Sequence, residues 1–296
     1  MTRAASAAFA CALSVTALVA QEGPPLFRTT TSGVRIEAAV TRRGRPVTGL
    51  ALEDFAILDS GVTQRLASLS YDKLPIDVTV ALDVSGSVQG TVLRDLREAV
   101  DRMRERLGPD DRLRILTFNG QIRRLVDFTD RRVDTNRMFD QIVPAGGSAI
   151  FDTLAVALSS KPAPGRRQLT MMFSDGVDSV SVIDLDALVA VAQRSTPTLA
   201  FVLSGIGPRV FGARPSDRER LFGDLAAETG GVVLRSAEVS EPFGNPFNEI
   251  LDNFRSVYVL DYTPMGVPQK GFHPLTVRVM RSGQYDIRAR RGYVSE

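Results

Sequence analysis

The sequence predicts an α/β fold: a doubly wound, mostly parallel sheet flanked by N- and C-terminal antiparallel β segments. Three observations carry this. The runs 76–82 and 168–173 are apolar or β-branched at nearly every position, the pattern of strands covered by helices on both faces. From residue 76 to about residue 255, strand-like runs alternate with stretches of helical period, as in a parallel sheet with crossover helices. Outside that region both ends of the chain return to period-two alternation broken by turn residues.

With 296 residues the chain has length for a sizeable core. Its 44% hydrophobic and 24% charged content is that of an ordinary globular protein. A net charge of +2 supplies no global field for nucleic acid or an anionic membrane. The arginine pairs at 42–43, 123–124, 131–132 and 166–167 are scattered with little aromatic interleaving, as solvated surface charge is. Residues 1–20 form a separate zone: Arg3, an uncharged alanine-rich run, then a polar stretch with Pro24 and Pro25. This is the pattern of a secretory signal peptide cleaved near Ala20. The expectation is a secreted or periplasmic mature chain with no membrane span. The single cysteine, Cys11, falls inside the leader, so the mature chain uses no disulfide, thiolate metal site or cysteine nucleophile.

A β segment is expected over 27–72. Residues 34–41 alternate apolar and polar and read as a half-exposed strand, and 42–46 is a turn. Residues 50–59 carry a connector and a second strand, and 64–71 alternates again after the turn at 60–62. So small an antiparallel unit buries too little to stand alone. The α/β region is expected over 75–255. Its first strand precedes a helix built on Val88, Val92, Leu96, Val100, Met103 and Leu107, which Gly108 and Pro109 stop. A strand over 112–119 turns at Gly120 into a partner over 122–128. A short helix over about 133–143, a glycine-rich loop at 144–148 and a helix over 149–158 follow. The strand 168–173, helix 183–193, strand 198–203, loop 205–216, helix 217–229, strand 230–234 and helix 248–254 complete the unit. The terminal segment, 256–296, carries strands over 257–262, 274–280 and 285–289. It is expected to meet the N-terminal segment as one sheet beside the α/β core.

The stretch that organises the chain is Asp83-Val84-Ser85-Gly86-Ser87, at the C-terminal end of the first buried strand. In extended chain, residues i, i+2 and i+4 project the same way. Asp83, Ser85 and Ser87 therefore converge at the tip, and Gly86 lets the backbone turn between the serines. One carboxylate and two hydroxyls are an all-oxygen set suited to a hard cation such as Mg²⁺ or Mn²⁺. The string is weak alone, because Asp83 and Ser85 would equally cap a helix starting near Val88. Its weight comes from two more oxygen groups at comparable places. Ser148 follows Gly146 and Gly147, and Asp175 sits at the tip of the next apolar strand; ligand groups in open parallel sheets gather at strand carboxyl ends. Ser148 also reads as a plain N-cap, Asp178 as loop solubility and Asp152 as a first-turn helix acid. His273, the one histidine, has no partner histidine or cysteine and reads as structural.

These residues carry a resemblance. The chain resembles a von Willebrand factor A (VWA) domain with a metal-ion-dependent adhesion site (MIDAS). More narrowly, it resembles the secreted bacterial VWA-related proteins whose N-terminal segment reads Gly-Arg-Pro-Val-x-Gly-Leu and then Asp-Phe, here Gly44 to Leu50 with Asp54 and Phe55. Their closing pattern is matched by Arg255-Ser256-Val257-Tyr258-Val259-Leu260-Asp261-Tyr262-Thr263-Pro264 and by Arg290-Arg291-Gly292-Tyr293. The resemblance implies a metal site of Asp83, Ser85, Ser87, Ser148, in the place where the family usually has threonine, and Asp175. It implies Mg²⁺ (or Mn²⁺/Ca²⁺), held directly by the first two hydroxyls and through water by at least one aspartate. One coordination position stays open for a partner's Asp or Glu carboxylate. The expected function is an exported, non-catalytic protein-binding or adhesion module. The alternatives are a scaffold component of an envelope assembly with a weak or empty site, and a hydrolase using the same metal. Against the hydrolase, the chain has no His-Glu-x-x-His, Gly-x-Ser-x-Gly or P-loop, and no histidine near Ser85 in sequence. The partner surface is expected on the strand-tip loops, with Phe211 either an exposed apolar contact there or packed on the β segments.

Overall fold

The computed structural model describes residues 33–71, 74–88, 91–128, 134–204, 216–235 and 246–296. The expected leader 1–20 with Cys11, and Phe211 with most of its loop, lie outside the described residues. The N-terminal segment forms β1 (Val34–Arg42), β2 (Arg45–Pro46), β3 (Phe55–Asp59), β4 (Val62–Gln64) and β5 (Leu66–Tyr71). The middle of the chain forms β6 (Ile76–Asp83), α1 (Thr91–Glu105), β7 (Arg112–Phe118), β8 (Ile122–Val126), α2 (Thr135–Phe139) and α3 (Ile150–Leu158). It continues with β9 (Arg167–Ser174), α4 (Leu185–Arg194), β10 (Thr198–Leu203), α5 (Asp217–Thr229), β11 (Val232–Arg235) and α6 (Pro246–Arg255). The last segment forms β12 (Tyr258–Tyr262), β13 (Gly271–Val279), β14 (Asp286–Ala289) and β15 (Gly292–Ser295).

Six strands make the central sheet in the order β11-β10-β9-β6-β7-β8. All its pairs are parallel except β7 with β8. This is the α/β, doubly wound sheet that the apolar runs predict. β6, β9 and β10 are buried at every residue because helices cover both faces. Alternation along β6 assigns the faces. Val78, Val80 and Leu82 pack with Leu96 and Met103 of α1 and Phe247 of α6. Ala81 faces Leu154 of α3, Leu188 of α4 and Phe222 of α5. The chain leaves β6 toward β7 on one side and later returns to β9 on the other, so the tip of β6 lies where the strand order reverses. Among the described residues no helix is long and apolar enough to cross a membrane.

The two terminal segments form two facing antiparallel sheets rather than the single sheet expected. One runs β14-β1-β12-β5 with β2 on β1, the other β15-β13-β3-β4. Between them lies a separate core of Ile36, Val40, Ile57, Leu260, Tyr258 and Tyr262. The run 64–71, which reads as one strand, breaks at Arg65. Gln64 pairs with Ile57 in one sheet, whereas the residues from Leu66 pair with β12 in the other. β1 is less exposed than expected. On its second face Arg35 stays exposed, but Ala39 is buried with Val257 and Val259, and Glu37 bonds Arg167 of the α/β region, at the start of β9, at 2.7 and 3.1 Å.

The sandwich core also holds a buried polar cluster. Asp59, 0% exposed, ends β3 pointing inward. It accepts hydrogen bonds from Tyr262 at 2.7 Å, Tyr293 at 2.8 Å and Ser60 at 3.1 Å, and it faces Nδ1 of His273 at 2.9 Å. Burial alone would raise the Asp59 pKa, but these bonds to the charged form together outweigh it and hold the carboxyl below its ordinary value. Asp77, buried between Arg112 and Arg166, is shifted the same way against its own desolvation. A carboxyl lowered in the folded state contributes stability that is complete above the ordinary carboxylate value of about 4 and is lost as pH falls through the folded value. Urea unfolding midpoints should therefore hold between about pH 7 and 5 and fall below about pH 4. Asp59→Asn should cost about 2 kcal/mol at neutral pH, the scale of lost charge-assisted bonds, and make the acid limb shallower. An acid limb equally steep in the variant would place that linkage elsewhere.

Candidate metal centre

β6 ends in Asp83, whose carboxylate is 0% exposed. The backbone beyond it is tied to its neighbours: Val84 N–H donates to Phe118 O at 2.8 Å, Ala145 N–H to Val84 O at 3.1 Å and Gly86 N–H to Gly146 O at 3.0 Å. These bonds zip the loop after β6 to the glycine-rich loop before α3 and bring Ser148 over the strand tip. The Ser85 N–H donates to Asp83 Oδ1 at 2.9 Å, which turns the chain locally. Ser148 Oγ donates to both Asp83 oxygens, at 3.2 and 3.1 Å. Ser85 Oγ and Ser87 Oγ lie 3.1 Å apart. Ser85 and Ser148 are buried, whereas Ser87 opens to solvent. Asp83, Ser85, Ser87 and Ser148 thus form one connected set at the strand tip.

Asp175 stands one residue beyond β9 and is half-buried. Its carboxylate accepts from the Val177 N–H at 2.9 Å and its carbonyl from Arg218 Nη1 at 2.6 Å. No hydrogen bond joins it to the other four residues, so it borders the cluster without being bonded into it. Ser174, the residue before it, is bonded in directly: its Oγ donates to Asp83 Oδ2 at 2.6 Å and accepts from the Gly176 N–H at 3.0 Å. Sequence reasoning missed Ser174 because, as the last residue of a buried strand, it reads as part of the Ser-Asp-Gly tip. Asn119 was also missed. Its side chain donates to Ala145 O at 2.9 Å and its carbonyl accepts from the Ala149 N–H at 2.8 Å, which holds the glycine-rich loop from the end of β7.

The capping alternative for Ser148 is decided by the α3 N-terminus. Ala149, not Ser148, is the N-cap of α3, and it has no side chain to offer. Asp178 supplies the cap from another loop. Its Oδ1 accepts from the Ile150 N–H at 2.8 Å, the Phe151 N–H at 3.2 Å and the Ser181 hydroxyl at 2.6 Å. Its reading as loop solubility is therefore corrected. Asp152, in the first turn of α3, accepts in return from the Val182 and Ile183 N–H groups. Ser179 locks the same junction: its hydroxyl accepts from the Ser148 N–H at 2.9 Å, and its N–H donates to Ser148 O at 2.9 Å. A Cβ on Gly147 would lie 2.5 Å from that hydroxyl, so only glycine allows this approach.

The electrostatics follow from the donors. Asp83 accepts from one N–H and two serine hydroxyls, all neutral, and no basic side chain pairs with it among the described residues. A buried carboxylate in that state attracts a cation. Among the described residues no three His, Cys, Asp or Glu side chains gather as a metal site, so a cation here would rely on hydroxyl oxygens. Ser85 and Ser87 Oγ, 3.1 Å apart, are close enough to share one cation. An all-oxygen set of one carboxylate and hydroxyls fits a hard cation.

Comparison with known proteins gives the same frame. Residues 78–177 match the family model of the von Willebrand factor type A domain. Inter-alpha-trypsin inhibitor heavy chain H2 of Mesocricetus auratus is 26% identical over 236 residues, covering 73% of this chain and 24% of that protein. Its Homo sapiens counterpart is 27% identical over 132 residues, 40% of this chain and 14% of that protein. The chain thus spans about a quarter or less of the length of these curated relatives. A solved von Willebrand factor type A structure from Catenulispora acidiphila superposes with a TM-score of 0.51 at 12% identity, over 82% of this chain and 74% of that one, and shows the shared fold.

Asp178→Ala should destabilise the protein by about 1–2 kcal/mol, the range for a lost helix cap with buried N–H groups left unpaired. Chemical denaturation checks this; a change within about 0.3 kcal/mol, too small for any lost cap, would show that the α3 N-terminus does not depend on it.

Proposed function

Since the chain carries a von Willebrand factor type A domain over residues 78–177, we propose that it is a non-catalytic protein-binding module that captures a partner's Asp or Glu carboxylate through a divalent cation. Asp83, Ser85, Ser87 and Ser148 would hold the cation, with Asp175 at the border acting through water. The observation that carries this reading is the buried Asp83 carboxylate, bonded only by neutral donors, beneath hydroxyls that lead out to solvent at Ser87. Mg²⁺ is the candidate ion, with Mn²⁺ and Ca²⁺ as the alternatives, all of them hard cations suited to oxygen ligands. A bound ion of this kind supplies an open coordination position that favours an oxygen anion.

The rest of the rim suits such a partner. Val177, Val180 and Val182 are exposed on the loop after Asp175, and they offer apolar contact beside the carboxylate position on described residues, where Phe211 is not. Arg218, donating to the Asp175 carbonyl, adds positive potential on the same side. The non-catalytic reading is supported by the placement of His273. The chain's one histidine is sealed in the β sandwich against Asp59, not beside a serine of the cluster. Export is part of the proposal and rests on the leader pattern of residues 1–20; a purified, secreted protein should begin just after Ala20.

Thermal unfolding of EDTA-stripped protein, titrated with Mg²⁺, Mn²⁺ and Ca²⁺, tests the site. At a hundred times its dissociation constant a native-state ligand stabilises by about 2.7 kcal/mol, a rise of roughly 5 to 10 °C for a domain of this size. The rise should vanish in Asp83→Ala. Retention on an immobilised acidic peptide should require the metal and be lost in EDTA. No shift with any of the three ions at millimolar concentration would retire metal-mediated capture and leave a scaffold role.

A further inference from the structure

A cavity of about 370 Å³ lies at the N-terminal end of the central sheet, the end opposite Asp83. β9 spans the distance between them, from Arg167 at the cavity to Ser174 at the strand tip, about 23 Å at the usual rise of a strand. The starts of β9 and β10, the loop 162–166, β1 and Arg290 supply its walls. The volume lies in the range of small-molecule sites.

The cavity is unbalanced in charge. Arg35 pairs with Asp261 at 2.9 Å, Arg167 with Glu37 at 2.7 Å, and Arg166 with Asp77 at 2.6 Å. Asp77 is shared with Arg112, so it neutralises only one of the two. Among the described residues, Arg290 has no carboxylate within hydrogen-bond reach. Its Nε donates to Gly292 O at 2.8 Å and its Nη2 to Ser195 O at 3.0 Å, while Nη1 has no hydrogen bond among the described residues. Glu37 and Glu228, the carboxylates near enough to favour its charge, are themselves held by Arg167 at 2.7 Å and by Arg291 at 3.1 Å. Burial works against the Arg290 charge and lowers its pKa. With Nε and Nη2 engaged on backbone carbonyls, Nη1 is left to donate to one oxygen of a carboxylate or phosphate, and a guanidinium with no carboxylate bonded to it in a partly dry wall favours an anion. Another part of the wall, Pro162-Ala163-Pro164, is apolar and uncharged in its side chains.

We propose that this cavity binds a small organic anion, a carboxylate or phosphate monoester with an apolar body, whose acidic group pairs with Arg290 and whose body lies against residues 162–164. The site goes beyond carboxylate capture at the Asp83 tip and does not depend on it.

Calorimetric titration of the full chain with benzoate and with phenyl phosphate tests the proposal, run in EDTA so that no cation at the Asp83 cluster takes up the anion. Benzyl alcohol serves as the uncharged probe and inorganic phosphate as the anion without a body. At least one aryl anion should bind one to one with a dissociation constant on the order of a millimolar or tighter, the reach of so small a ligand. Benzyl alcohol and inorganic phosphate should each bind about tenfold more weakly, each having lost one of the two contacts. Arg290→Gln should abolish binding. Should that variant fail to fold, Ala163→Phe decides alone, because it fills the cavity from an outer loop and should also abolish binding. No saturable binding of either aryl anion up to about 10 mM, far above what a built site needs, would overturn the proposal. So would undiminished binding in Ala163→Phe, or inorganic phosphate matching phenyl phosphate.

Discussion

Asp83 places a carboxylate where water does not reach, at the end of a strand with no exposed face, and the loops around it are arranged to bond it. A buried carboxylate left without partners costs several kcal/mol, on the order of a whole domain's margin of stability. Here the Ser85 N–H and the Ser148 and Ser174 hydroxyls meet that demand. In doing so they fix three loops against one another. Two other buried aspartates among the described residues meet the same demand differently. Asp77 is neutralised by two arginines, and Asp59 is enclosed by two tyrosines, a serine and a histidine within the sandwich core. Of these three, only the Asp83 cluster combines donors that are all uncharged hydroxyls and an N–H with a side open to solvent, at Ser87. That combination is what the proposed capture of a cation rests on, whereas the other two aspartates are enclosed.

The terminal β segments matter to that cluster by where they attach. β1 meets the α/β region through Glu37 and Arg167, at the start of β9, and Arg167 also donates to the carbonyl of Phe254 at the end of α6. Buried ion pairs of this kind add little net stability over apolar packing, but losing one partner leaves a stranded charge and is costly. They therefore specify how the sandwich seats on the sheet. This junction involves the N-terminal ends of the parallel strands, and among the described residues the loops after β6 and β9 at the opposite end expose Gly86, Ser87 and Val177. The polarity of a parallel sheet separates the two jobs.

Much of this was legible in the sequence where the signal is local. The buried strands announce themselves as unbroken apolar runs, and period two alone brings Asp83, Ser85 and Ser87 together. What stayed hidden depends on distant partners. Nothing near Asp178 tells that its carboxylate caps a helix beginning at Ile150, since the bond spans 28 residues. The break at Arg65 reflects a choice between two sheets whose other strands come from the far end of the chain. Glu37 and Ala39 look like the wet side of a strand because the surface that covers them is built by residues more than 120 positions later. Asp175 was placed correctly at a strand tip, but period two says nothing of where a side chain turns once the strand has ended.

Ser148 shows how the surroundings can supply what a side chain lacks. Threonine carries a β-methyl that restricts its χ1 angle, and serine does not. A freely rotating hydroxyl would be a poor member of a site that needs its oxygen in one place. In this chain the restraint is external. Ser148 is buried, its N–H and carbonyl are both bonded to Ser179, and its Oγ reaches both oxygens of Asp83. Gly147 lets Ser179 come that close, and Asp178, the residue before Ser179, holds the adjoining helix end. The loop after β9 therefore does for the serine what a methyl group does within threonine: it leaves the hydroxyl one direction in which to point.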